Sequence, residues 1–158
     1  MKFTCTKTNF NNGINIALKA VPGKTTMPIL ECILIDTTNG MIEMTANGDM
    51  VKLTTNDMQL GIETKIPAEI EQDGIILVNA KMISEIVRRL PDDDVNFEVD
   101  ENNNILLFCG KSKFNIPGIP HDEFPMLPKI EADKTIHISQ FTLKEMIRQT
   151  IFSISDNE

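Results

Sequence analysis

The sequence predicts an α+β fold that runs twice through one order: a strand, a helix, then several strands. Three observations carry this. Phe3 and Cys5 alternate with polar neighbours in MKFTCT, and later short runs read the same way, the period-2 sign of half-buried strands. Two other stretches place apolar residues at steps of three and four, the stripe of a helix lying on a core. Turns containing Asn, Gly and Pro separate the runs.

In chain order, MKFTCT is the first strand. Phe10, Ile14, Ala17, Leu18 and Val21 then share one helix face, with Thr6 or Thr8 as cap and Pro22-Gly23 as stop. Asn11, Asn15 and Lys19 lie on a different, polar face that holds no acid. Gly13 and three Asn make this helix weak by propensity, so packing has to hold it. Ile29-Leu30 opens a strand through Ile35, and Thr38-Asn39-Gly40 turns the chain.

The next segment spells one strand twice, MIEMTAN from Met41 and MVKLTTN from Met50. Asn47-Gly48 between them is a strong hairpin turn that would set Glu43 opposite Lys52. An added full strand would reverse everything after it, so one copy is expected in the sheet and the other as a local excursion. The expected excursion is 46–54, a nine-residue insertion.

LGIETKIP (60–67) and GIILVN (74–79) are further strands. Asn79 caps a second helix whose stripe is Met82, Ile83, Ile86, Val87 and Leu90, ended by Pro91 and three Asp. VNFEV (95–99), NILLF (104–108) and KFNI (113–116) complete the domain at about residue 120. Residues 121–133 read as an extended linker. KTIHISQ then alternates, and Leu143, Met146, Ile147 and Ile151 form a third helical stripe. Phe3, Cys5, Phe10, Ile14 and Leu18 overlie Ile136, Ile138, Leu143, Ile147 and Ile151 at a constant offset of 133. A second copy of the domain is therefore expected to begin at 134, its first strand and helix reaching 158, within a longer protein.

The net charge of −8 argues against nucleic acid until the charges are placed. Residues 1–30 hold four Lys and no carboxylate, and residues 80–90 hold Lys81, Arg88 and Arg89 against Glu85. Residues 31–79 hold nine acids and two bases, and residues 91–133 ten and three. The helices are basic and the strands acidic.

Catalysis has no candidate. VPGKTT (21–26) lacks the earlier Gly of a phosphate loop and follows a helix where such a loop precedes one. His121-Asp122-Glu123 has no partner motif and reads as solvated linker. Cys5, Cys32 and Cys109 are scattered, read as buried thiols, and suit neither zinc nor redox work. No metal or cofactor is expected, no apolar run spans a bilayer, and no secretion signal opens the chain, so a cytoplasmic location is expected.

The stretches MKFT, TTMPILECILI (25–35), LTTNDMQLGIE (53–63), ILVNAKMISEIVRRLPDDDV (76–95) and GKSKFNIPGIPHDEFPMLP (110–128) together resemble the bacterial DNA polymerase III beta subunit family, the sliding clamps. The resemblance implies a DNA-clamp fold, with antiparallel sheets outside and two helices per domain on one face. It implies a non-catalytic homodimeric ring around duplex DNA, a processivity factor in DNA replication. Its partners would be the DNA backbone, a second clamp subunit, DNA polymerase III and the clamp loader.

Carried over by residue, Lys24 would touch DNA or be a solvated loop lysine, and Lys19 would join it from the first helix. Lys81, Arg88 and Arg89 lie on the second helix, although Arg88 and Arg89 point about 100° apart. Lys144 and Arg148 would extend the basic lining or simply flank Glu145, and Asn157 falls in a DNA-approaching loop. Phe114 and Ile116 match the edge strand that meets the other subunit, or else point into their own core. A free-standing module that binds or poisons intact clamp through that edge is the alternative.

Overall fold

The computed structural model describes residues 1–38, 49–128 and 135–154. It forms two compact units, Met1–Leu127 and Pro128–Glu158. In the first unit the elements are β1 (Lys2–Thr6), α1 (Lys7–Ala17), β2 (Cys32–Asp36), β3 (Met50–Asn56), β4 (Gly61–Pro67), β5 (Glu69–Gln72), β6 (Ile75–Asn79), α2 (Ala80–Arg89), β7 (Asp94–Val99), β8 (Asn104–Cys109) and β9 (Ser112–Ile119). The strands make a sheet of order β4-β3-β2-β6-β9-β8-β7-β1-β5, with antiparallel neighbours throughout.

The expected double run is present. Strand, helix and three strands occur as β1-α1-β2-β3-β4 and again as β6-α2-β7-β8-β9, with β5 added between them. Each half lends its first strand to the other: β1 pairs with β7, and β6 with β2. The end strands β4 and β5 are joined by Ala68 alone, so the sheet curls until its two ends meet.

Both helices pack on the concave side of that curl. Phe3 and Phe97 stack with ring centroids 4.9 Å apart, and Phe10 of α1 meets both edge-on at 6.0 and 6.1 Å. Such aromatic contacts add about 0.5–1.5 kcal/mol each beyond burial. Ile14 and Ala17 of α1, and Ile83 and Val87 of α2, complete the core against Leu53, Val95, Ile105 and Leu107. Thr6 Oγ1 accepts from the Asn9 amide at 3.3 Å, and Asn79 Oδ1 from the Met82 amide at 3.0 Å, so both helices start on side-chain caps. Gly13 has a reason to be in a helix. A Cβ there would stand 2.5 Å from Ile66 Cγ2 and 2.9 Å from Leu53 Cδ1, so only Gly lets α1 settle this closely on β3 and β4.

Several expectations are corrected. Ile29 and Leu30 lie in a 3-10 turn, Pro28–Glu31, closed by the Leu30 amide donating to Met27 O at 3.0 Å. Proline at the turn's start favours it over strand, which begins at Cys32. Most of 46–54 is no excursion: Met50–Asn56 is β3, in register with β4 over seven pairs and with β2 on its other side. The first copy, 41–47, and the Glu43–Lys52 pairing lie outside the described residues. The sequence pattern does not announce β5, because Ile70 is the single apolar residue of EIEQ.

The stretch expected as linker is packed onto the first unit through Leu127. Phe124 is buried with Cys32, Leu34 and Leu77 on the sheet face away from the helices. Asn56 Nδ2 donates to Pro125 O at 2.8 Å, and Leu127 lies against Gly61. In the second unit α3 (Gln140–Thr150) forms as expected, capped by Ser139 Oγ accepting from the Thr142 amide at 3.1 Å. Residues 135–139 are not strand, having no pairing partner among the described residues. All of α3's apolar residues are exposed.

Candidate nucleic-acid interface

α1 packs beside α2, and five exposed cations of the first unit lie on these helices or in the loop after α1. Lys19 sits in the 3-10 turn Leu18–Ala20 that extends α1. That turn is anchored where Thr55 Oγ1 of β3 donates to Ala17 O at 2.7 Å. Lys24 lies in the loop that follows, Lys81 in the first turn of α2, and Arg88 and Arg89 in its last turn. Arg88 and Arg89 complement the negative end of the α2 dipole there, which is a structural use as well. All five are exposed, and among the described residues none pairs with a carboxylate. Asn12 and Asn15 of α1 are exposed too. The charge pattern passes over Asn12, yet an amide can donate to a phosphate oxygen as well as an ammonium can.

Two cations of the sheet, Lys2 and Lys52, are held differently. Lys2 Nζ lies 2.9 Å from Glu71 Oε2 and 3.3 Å from Glu98 Oε1. Hydrogen bonds to Glu71 first, and then to Glu98, hold the Lys2 ammonium above its ordinary range. Lys52 lies 3.4 Å from Asp36 Oδ2 and 3.7 Å from Glu63 Oε1. Asp36 is 4% exposed, and its Oδ1 also accepts from the Thr38 amide at 2.8 Å.

Elsewhere the expected residues meet mixed outcomes. Lys144 and Arg148 are exposed on α3, but Arg148 Nη2 sits 3.4 Å from Glu145 Oε2, so the flanking of Glu145 is realised for Arg148. Asn157 lies outside the described residues. Phe114 and Ile116 do not form an exposed apolar edge. Ile116 is 1% exposed within the core and Phe114 packs against that core, because alternation sends Lys113 and Asn115 to solvent instead. What β9 does leave open is its backbone. It pairs with β8 from Ser112 to Pro117, but β6 reaches only Gly118 and Ile119.

Among the described residues no metal-binding grouping competes with this surface. Among the described residues no three His, Cys, Asp or Glu side chains gather to hold an ion. His121 and Glu123 are exposed on a turn. The three thiols are free and buried, and desolvation pushes Cys5 up to about 12, with Asp94 adding to the shift. Among the described residues no helix is long and apolar enough to cross a membrane.

Comparison with known proteins agrees with the fold. Residues 1–128 match the family described as DNA polymerase III beta subunit, N-terminal domain. The beta sliding clamp of Bacillus subtilis is 39% identical over the whole chain, and that of Staphylococcus epidermidis 33%; the chain spans 42% of the length of each. Among solved structures, a DNA polymerase III beta subunit from Eubacterium rectale superposes on 99% of this chain with a TM-score of 0.88 and 52% identity, over 40% of its own length. The B. subtilis sliding clamp superposes on all of it with a TM-score of 0.89 and 37% identity, over 41% of its own length. The chain belongs to the DNA polymerase III beta subunit family, and its residues 1–128 correspond to that family's N-terminal domain.

Proposed function

We propose that this chain is the N-terminal part of a sliding clamp, a non-catalytic ring that holds the replicative DNA polymerase on duplex DNA. One observation carries the reading. The five cations on the helical side are unpaired among the described residues, while Lys2 and Lys52 on the sheet are neutralised by Glu71, Glu98, Asp36 and Glu63. Unpaired ammonium and guanidinium groups attract the phosphate backbone by releasing counterions, without reading sequence, which is what sliding requires. Acidic strands on the other side repel the same backbone. Lys19, Lys24, Lys81, Arg88 and Arg89 would face the DNA, and Lys144 would continue the lining from the second unit.

The open backbone of β9 over 112–117 supports a subunit contact made by main-chain pairing, with Phe114 and Ile116 holding the strand from inside. A second clamp subunit would add its strand there, and DNA polymerase III and the clamp loader would act on the assembled ring. The same open edge favours the second reading, a module that caps an intact clamp.

Two measurements test these readings. In a ring carrying Arg88→Gln and Arg89→Gln, the slope of log affinity for duplex DNA against log salt should flatten by about 0.9 for each phosphate that is no longer neutralised. An unchanged slope would remove the helices from the DNA path. Mixing this chain with intact clamp and measuring ring mass tests the capping reading, and an absence of exchange would remove it.

A further inference from the structure

The face of the sheet turned away from the helices has a small core of its own, closed by one segment. Cys32 and Leu34 of β2 and Leu77 of β6 form its floor, and Phe124 covers them. Their strand neighbours Ile33, Ile35, Ile76 and Val78 belong to the main core, so the two cores share strands but no buried side chain. Phe124 is the one buried residue between Ile119 and Pro128. Beyond that ring, Asn56 Nδ2 donates to Pro125 O at 2.8 Å and Leu127 lies against Gly61. The Phe124 amide donates to His121 O at 2.9 Å, within the segment itself. Pro120 and Pro125 have no amide hydrogen to offer the sheet. Local opening is easiest where buried contacts are few and ties are sparse.

The floor also holds a group that gains from opening. Thr54 of β3 lies opposite Leu34 and two residues from Asn56, on the same face as both. Its neighbour Thr55 points the other way, toward Ala17 O of the first helix. Thr54 is 0% exposed, and its Oγ1 has no hydrogen-bond partner among the described residues. A buried hydroxyl left unpaired costs free energy that water would restore, so the cover closes against that cost.

We infer that residues 120–127 are a strap that opens as a unit, uncovering Cys32, Leu34, Leu77 and Thr54 while the main core stays folded. The chain passes from Leu127 directly into the second unit, so an open strap lengthens the free connection between the two units. That connection has a short state and a long one, and a single aromatic ring does most to hold the short one.

Iodoacetamide labelling of the full chain under native conditions, read cysteine by cysteine from peptide masses, tests this. Burial, and then the charge of Glu31, hold the Cys32 thiol above its ordinary range, so the closed form reacts little. Cys5 lies in the main core and reports the unfolding of that core. Cys32 should be labelled at least about tenfold faster than Cys5, at a rate nearly independent of low urea, while the Cys5 rate climbs steeply with urea. Phe124→Ala should raise the Cys32 rate about tenfold or more, and Thr54→Val should lower it about fivefold. One shared rate and urea slope for Cys32 and Cys5 would overturn the strap, because global unfolding would then be the route to both. A Cys32 rate indifferent to Phe124→Ala would place the opening in the Pro28–Glu31 turn and overturn it too, as would a Thr54→Val chain that is labelled no more slowly.

Discussion

Lys52 of the sheet and Arg88 and Arg89 of the second helix use like charges to opposite ends. Lys52 lies inside the sheet between two carboxylates and is 15% exposed, whereas Arg88 and Arg89 stand in water with no carboxylate partner among the described residues. A paired, nearly buried cation is part of the structure, because removing it strands its partner. An unpaired exposed cation adds almost nothing to stability and remains available to a ligand. Lysine or arginine content alone therefore says little about DNA; the pairing state divides the structural cations from the available ones.

The largest break in this comparison comes from below both sides. Phe10 fastens α1 to Phe3 and Phe97, so Phe10→Ala should cost about 3–5 kcal/mol in urea unfolding and loosen the cationic side together with the fold. Next, Lys52→Ala should cost about 1–3 kcal/mol, because Asp36 stays buried with one partner fewer. Its effect on DNA affinity should be negligible, and equal losses from Lys52→Ala and Arg88→Gln would dissolve the distinction. Arg88→Gln and Arg89→Gln should leave stability within about 0.5 kcal/mol while lowering DNA affinity in a salt-dependent way.

The smallest effect concerns pH. Lys2 has its ammonium held above the ordinary 10.5 by Glu71 and Glu98, so its contribution is complete below that value and is lost as pH rises through the higher folded value. Cys5 falls in the same alkaline direction, since an unfolded thiol ionises near its ordinary 9.0 and the buried one only near 12. Lys2→Met should flatten only the Lys2 part of that limb, measured as thermal midpoint against pH relative to the parent chain. A Lys2→Met curve that parallels the parent above pH 10.5 would leave the Lys2 ion pairs without effect.

Sequence alone showed much of this and missed the part that needed register. Both helices were readable because their stripes, caps and stops are local, and Thr6 and Asn79 cap where the pattern points. The choice between the two copies of the doubled strand was not readable, since MIEMTAN and MVKLTTN offer a sheet the same alternation. Whether the Phe114 and Ile116 side chains stand outward was decided by alternation, since KFNI sends Lys113 and Asn115 to solvent and Ile116 into the core. The pairing of Lys2 with Glu98 depends on β1 lying beside β7, and no local pattern announces a neighbour so far along the chain. The free cations could be named, but their freedom could not.

The exchange of first strands between the two halves has a consequence for how the protein is made. β1 is synthesised well before β7, yet Thr4 hydrogen-bonds Asn96, 92 residues later, and Phe3 stacks on Phe97. The opening strand must wait, with its apolar side uncovered, until β7 has been synthesised. Long-range pairing of this kind slows folding and prolongs exposure to aggregation. At bacterial rates of about 5–20 residues per second the wait lasts several seconds. During it, the waiting strand shows water the polar Thr and Lys residues that alternate through KFTCTKT as well as its apolar side.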